Sequence, residues 1–463
     1  MQAPPSTVPP APADGLYRAG TLVYSKNGLL VLSLWLLWGD FAFQFFEAIF
    51  ARFMPIFLKE LNASNTLIGI MTGSFAGLVN VLFLPVISRW CDNLRTPVGR
   101  RIPLLYVFAP LTVAALIGVG FAPDLGRLLH SSLHHMLPST LTPENLTLGL
   151  LCVLVVGFHF FNMVLVNGYN WLIRDVVPLS VMSRFLAWFS MVTAISGTLF
   201  LWFVFPHLLE NRQTIFLTVG IFYLIAFFLM CRKVREGEYP PPVRQEDAPG
   251  LGRTFVLYFR ECLQLRIYRC FFIACLLMIA ATACANNFIT LFARESLGFD
   301  MGQLGHLFAW TSGISLVFFY PIGWLCDRFS PMHVAVSAMA LIVVANLSAF
   351  FFVGGWMSFF IFSVTSAMPM VAWGLCQRAS AMKLFPSEKF GQFSSGLNVF
   401  GCGALIVGNL LMGLLMDFLH SNYRVAFLWT VLIALCAIPP MLIVLREWHR
   451  HGGKDGYVPP MPA

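Results

Sequence analysis

Asp40, Gln44 and Glu47 stand at i, i+4 and i+7 in a long apolar run. On a helix of about 3.6 residues per turn they fall within about 60° of one another and form one polar stripe. Asp40 and Glu47 are the two acids that lie deep in an apolar run, away from its ends. A carboxyl withdrawn from water holds its proton more tightly, so such a group can take up and release H+ near neutral pH. Two carboxylates with a carboxamide can alternatively hold Na+. A third use is a structural ion pair with Arg52. That residue lies about 120° round the helix from Asp40, so pairing within one helix is awkward. Trp35, Trp38, Phe43, Phe46 and Phe50 surround the stripe. Their faces can stack on sugar rings or pack.

The element carrying this stripe is expected to cross a membrane. Of 463 residues, 58% are apolar and 11% are charged, against about 25% charged in a soluble domain. The apolar runs are continuous rather than alternating, which selects helices over a β-barrel. A hydrocarbon core about 30 Å thick takes about 20 helical residues to cross. The chain offers twelve such runs: 29–57, 65–88, 103–121, 147–172, 186–206, 214–231, 270–293, 303–325, 331–353, 355–377, 394–416 and 425–445. The expected fold is an all-α polytopic membrane protein. Inside a membrane helix a charge costs about 2.5–3.5 kcal/mol, which marks Asp40 and Glu47 as functional.

Lys and Arg orient the chain. With the N-terminus cytoplasmic, 23 of the 29 basic residues fall on the inside. The expected organisation is a cytoplasmic tail over 1–28, read as disordered, a six-helix bundle over 29–231, a cytoplasmic loop over 232–269, a second six-helix bundle over 270–445 and a cytoplasmic tail over 446–463. The net charge of +8 is spread between the apolar runs, not gathered on one face, which argues against nucleic acid. Eleven cysteines include no CxxC pair, so neither a zinc site nor a disulfide framework is expected.

Further polar residues fall inside the runs. Span 4 carries His159, Asn167, Asn170 and Arg174 on one stripe about 80° wide. The two asparagines can offer donors and acceptors to hydroxyls. Span 7 carries Thr282, Asn286 and Thr290 at i, i+4 and i+8, with Asn287 adjacent, and span 10 carries Trp373 and Gln377. The expected substrate-binding residues are Gln44, Arg52, Asn167, Asn170, Asn286, Asn287, Trp373 and Gln377.

Two connections repeat. Pro85-Val-Ile-Ser-Arg-Trp-Cys-Asp92 follows span 2, and Pro321-Ile-Gly-Trp-Leu-Cys-Asp327-Arg328 follows span 8. Two similar halves predict a transporter with its substrate site between them near the midplane. Gly323-x-x-x-Asp327-Arg328 resembles the loop signature of the major facilitator superfamily. Asp92-Asn-Leu-Arg95-Thr-Pro-Val-Gly99-Arg100-Arg101-Ile-Pro103 is similar to the corresponding loop of the glycoside–pentoside–hexuronide:cation symporters and the sucrose transporters. Asn170-Trp-Leu-Ile-Arg-Asp175-Val-Val-Pro178 resembles their loop after span 4. Ser88, Asn93 and Ile102 depart from the pattern, where Gly, Arg and Arg are usual.

The charges of this loop can pair across the cytoplasmic gap or meet a helix end, and a pair made in one conformation only biases a two-state switch. Ordinary positive-inside anchoring is the plainer use. Conformational gating is expected of Asp92, Arg95, Gly99, Arg100, Arg101, Asp327 and Arg328. The resemblance implies symport of a sugar or glycoside with H+ or Na+, no other cofactor, and a monomer in the cell membrane. The other readings are a major facilitator exporter or a carrier of a nucleoside, organic anion or drug, and further off an intramembrane transferase. No metal-ligand spacing or nucleotide-binding loop supports an enzyme or an ATP-driven pump.

Overall fold

The computed structural model describes residues 16–133, 142–238, 261–386 and 389–461. Each apolar run becomes a helix, because backbone groups in hydrocarbon find partners within their own segment. The first six are α1 Lys26–Glu60, α2 Asn65–Asn93, α3 Ile102–Leu133, α4 Pro143–Val176, α5 Leu179–Leu199 and α6 Arg212–Lys233. The second six are α7 Arg266–Leu291, α8 Met301–Phe329, α9 Pro331–Phe352, α10 Trp356–Leu384, α11 Phe390–Phe418 and α12 Val425–Arg450. Among the described residues, these twelve segments are long and apolar enough to span a membrane. Polar residues start several of them. Ser64, Thr142 and Asp300 accept from first-turn amides of α2, α4 and α8, as helix caps do.

Among the described residues, three wide π turns occur: Ile70–Ser74 within α2, Phe200–Val204 after α5 and Phe292–Ser296 after α7. Such turns are frequent at functional sites. The internal repeat is visible in position. Pro85 lies eight residues before the end of α2 at Asn93, and Pro321 eight residues before the end of α8 at Phe329. It is visible in packing too. α3 packs along α4 and α6, and α9, six helices later, packs along α10 and α12.

Contacts divide the chain into two units. One holds Met1–Phe53 with Leu82–Arg244, the other Met54–Val81 with Gln245–Ala463. The first part of α2 therefore packs with the second unit. In the first unit, Tyr169 of α4 donates to the Leu36 carbonyl of α1 at 2.5 Å, and Ser196 of α5 to the Phe41 carbonyl at 2.8 Å. These bonds fix α1 rotationally against α4 and α5. In the second unit, Trp429 and Thr430 of α12 donate to the Ala280 and Ala281 carbonyls of α7.

Two segments differ from the sequence expectation. Helix α3 continues to Leu133 instead of ending near 121. Its polar extension has partners: Asp124 pairs with Arg127 and accepts from Gln213 of α6. Part of the N-terminal tail is ordered as a hairpin, Tyr17–Ala19 against Leu22–Tyr24. Gly20 takes the positive φ that a two-residue turn needs, and Thr21 accepts from the Glu238 amide.

Candidate functional site

Asp40 is fully buried on α1. Its Oδ1 accepts from Gln44 Nε2 at 3.2 Å and its Oδ2 from Thr193 Oγ1 of α5 at 2.8 Å. About two turns further on, Glu47 Oε2 accepts from Asn162 Nδ2 of α4 at 2.9 Å. The polar stripe is real, but its acids look to different neighbours, Asp40 to α5 and Glu47 to α4. Each carboxylate is met by neutral donors, and among the described residues neither forms an ion pair. Asn162 Oδ1 is buried without a hydrogen-bond partner beside Glu47.

The aromatic residues around the stripe mostly engage one another. Phe50 stacks on Phe158 with centroids 4.1 Å apart, and Phe46 on Tyr223 at 4.6 Å. Trp38 stacks on Phe41 and meets Phe222 edge-on. Packing, not sugar stacking, is what Phe46 and Phe50 do here. Arg52 is half-buried on α1. Asn167 Nδ2 donates to the Met163 carbonyl of its own helix at 2.8 Å, and Asn170 is exposed.

In the second unit, Asn287 Nδ2 of α7 donates to Thr72 Oγ1 at 3.0 Å, within the π turn of α2. Asn286 is exposed and its carbonyl accepts from Thr290. Gln377 meets the Cys275 thiol. Trp373 is packed into the hydrophobic core of this unit, where it has little surface left for a solute.

A second polar cluster gathers the loop between α2 and α3. Asp175 Oδ2 accepts from Arg100 Nη2 at 3.0 Å and from Arg101 Nε at 3.1 Å. Arg101 Nη2 reaches Asp92 Oδ1 at 2.8 Å, and its guanidinium lies 5.0 Å from the Trp171 ring centroid. All of these groups lie in the first unit. Arg95 bonds locally, to the Asp92 and Leu94 carbonyls. Arg328 lies against Trp324 and Phe329, and the Asp327 side chain falls outside the described residues.

Sequence reasoning missed the anchor of this cluster. Glu236, just beyond α6, accepts from the backbone amides of Arg100 at 2.9 Å, Arg101 at 2.8 Å and Ile102 at 2.6 Å. It caps α3 from a distant stretch of chain, giving first-turn amides partners and setting a negative charge at the positive end of the helix. Gly99 is required beside it. Its φ of +121° disfavours other residues, and a Cβ there would overlap the Glu236 carboxylate. Thr193 and Asn162 were also missed. A Thr or Asn in an apolar run carries no signal until its neighbour is known.

Arg101→Lys tests the cluster. A lysine keeps the charge but cannot reach Asp92 and Asp175 together or lie flat on Trp171. Asp92 is half exposed and adds little. We expect a stability loss of about 1–2 kcal/mol, read as a lower midpoint in thermal unfolding of purified protein, with Arg100→Lys costing less.

Twelve apolar helices in a repeated arrangement, with a buried and a half-buried carboxylate on the first, define a multi-pass membrane protein built like a secondary transporter. The family model of the Major Facilitator Superfamily matches residues 36–378 and 285–457, and the chain belongs to that superfamily. A sucrose transport protein of Oryza sativa subsp. indica is 29% identical over 125 residues, 26% of this chain and 23% of that protein. The chain thus matches about a quarter of the length of this curated relative. Among solved structures, a bacterial homologue of the human lysosomal transporter Spinster aligns with a TM-score of 0.69 at 14% identity, over 94% of this chain and 100% of that one. A D-xylose-proton symporter aligns at 0.63 and 14%, over 88% and 97%, and the nucleoside transporter NupG at 0.65 and 13%, over 89% and 99%. At these identities the likeness establishes the fold.

Proposed function

We propose that this transporter is a cation-coupled symporter of a sugar or glycoside, with both termini cytoplasmic, working as a monomer in the cell membrane. The observation that carries the coupling is Asp40, a fully buried carboxylate held by Thr193 and Gln44 with no basic partner among the described residues. A carboxylate buried against neutral donors gains strongly from binding a proton or Na+, and its partner Thr193 on α5 couples that event to helix position. The sugar class rests on the loop motif Asp92–Pro103 and on the sucrose transport protein. Asn287 and Asn286 on α7 offer the neutral donors and acceptors that hydroxyls need. Glu47 with Asn162 is the second candidate cation site, and the Asp92–Arg100–Arg101–Asp175 cluster the cytoplasmic gating element.

The test is uptake into proteoliposomes of a panel of labelled sugars, with imposed proton or sodium gradients. Uptake above equilibrium with one gradient names the coupling ion. If neither gradient drives any sugar of the panel, the symport reading fails.

A further inference from the structure

Cys326 and Cys376 lie sulfur to sulfur at 3.2 Å in the core of the second unit. Cys326 stands in the last turn of α8 and Cys376 on α10, and these two helices pack along each other. Among the described residues, all eleven cysteines are free and no other two thiols are in such contact.

The internal repeat shows that the position does not itself require this contact. Cys326-Asp327 repeats Cys91-Asp92 of the first unit. There the Cys91 sulfur accepts from Arg101 Nη1 at 2.9 Å, and its thiol donates to the Arg100 carbonyl at 3.4 Å. In the second unit the matching thiol meets another thiol. A buried cysteine that only fills space packs as well against any small apolar neighbour, whereas two thiols in contact can also be joined.

The backbone sets these sulfurs where two bendable helix ends meet. The Cys326 carbonyl accepts from the Ser330 amide at 3.1 Å, and Ser330, at φ +82°, ends α8 and starts α9. Upstream, Pro321 interrupts α8 and Pro369 interrupts α10. A proline removes one helix hydrogen bond and crowds the preceding turn, so each helix can bend there. One turn on from Cys376, Ser380 Oγ is fully buried with no hydrogen-bond partner, so it does not fasten the two ends.

We propose that Cys326 and Cys376 are a redox site, forming a reversible disulfide that ties the end of α8 to α10. Closing from 3.2 Å to a disulfide bond asks for about 1 Å of movement. The oxidant is a low-molecular-weight disulfide. Cys326, 6% exposed against 0% for Cys376, is the entry thiol. Its thiolate attacks one sulfur of the reagent, whose S–S bond breaks and releases one small thiolate. The Cys376 thiolate then attacks the Cys326 sulfur of the mixed disulfide and expels the second. Two protein thiols are oxidised, the reagent is reduced to two thiols, and these carry away the two protons. With the termini cytoplasmic, as proposed above, this end faces a compartment where thiols are kept reduced and a disulfide is transient. Once joined, the end of α8 that carries Arg328 moves only together with α10.

The experiment uses purified full-length protein in detergent, reduced with dithiothreitol and then exposed to oxidised glutathione or to the smaller, uncharged hydroxyethyl disulfide. Acid stops exchange, the protein is denatured, and free thiols are alkylated and mapped by mass spectrometry. We expect Cys326 and Cys376 to escape alkylation, to appear in one linked peptide pair, and to be recovered as thiols with dithiothreitol. The bond closes a loop of about 50 residues, so the thermal unfolding midpoint is expected to rise by about 5 °C. Cys326→Ser nearly keeps the volume of the side chain, and its midpoint should not respond to either reagent. Cys376→Ser serves where that variant does not fold. No linked pair with either reagent overturns the proposal, as does Cys326 held only as a mixed disulfide. So does a linked protein whose midpoint stays level or falls, or a rise that persists in the variant. No solute enters the assay, so its outcome is separate from success or failure of the symport reading.

Discussion

Asp40→Asn is expected to abolish accumulation of solute against its gradient while leaving the fold intact. Asparagine is nearly isosteric with aspartate. Its amide oxygen can still accept from Gln44, and the Thr193 hydroxyl can rotate to accept from the new NH2. Losing the charge therefore leaves the contact between α1 and α5 in place. What disappears is the group proposed to change state when a cation binds. The accumulation ratio in proteoliposomes with an imposed gradient should fall to about one, a loss set by linkage and not by stability. Counterflow of solute with no gradient should persist, because alternating access itself does not need the carboxylate. Wild-type accumulation by Asp40→Asn protein would remove Asp40 from coupling and leave Glu47 as the candidate. Loss of counterflow along with accumulation would move Asp40 from coupling to solute binding.

The parts of this molecule legible in its sequence are those dictated by local rules. Lipid demands about 20 apolar residues per helix, so twelve spans could be counted, and their ends moved mainly where polar residues found partners, as Asp124 did with Gln213. A helical period places Asp40, Gln44 and Glu47 on one face whatever surrounds them. Which helix each acid faces is a tertiary fact. Asp40 meets Thr193, 153 positions away, and Glu47 meets Asn162, 115 away. For the same reason the local bond of Asn167 was not foreseen: a free asparagine and one bonded to the carbonyl four residues back look alike in sequence. Loop charges were read by type, which found Asp92, Arg100 and Arg101. Glu236 was lost among the mixed charges after α6, because its partners are backbone amides and leave no mark in composition.

Glu236 therefore carries the second large expectation. Glu236→Ala withdraws one carboxylate from three backbone amides at the start of α3. Water can replace part of the loss, since the site is only half-buried, so the cost is expected near 2–3 kcal/mol, not three full buried bonds. Glu236→Gln keeps an acceptor but no charge and should recover about half of it. Gly99→Ala attacks the same contact from the other side. It strains a residue at φ +121° and pushes the new Cβ into the carboxylate, at about 1–3 kcal/mol. The two changes share one interaction, so the double variant should lose less than the two losses combined, by roughly 1 kcal/mol or more. Unfolding of the four purified proteins in one detergent measures this cycle. Strict additivity would mean that Gly99 and Glu236 act separately, and that Gly99 is needed for its backbone angle alone. Non-additivity would tie the loop between α2 and α3, with its Arg100 and Arg101, to the stretch after α6. The Asp92–Arg101 cluster would then be one mechanical piece, so that any motion of Asp92 must also carry the end of α6.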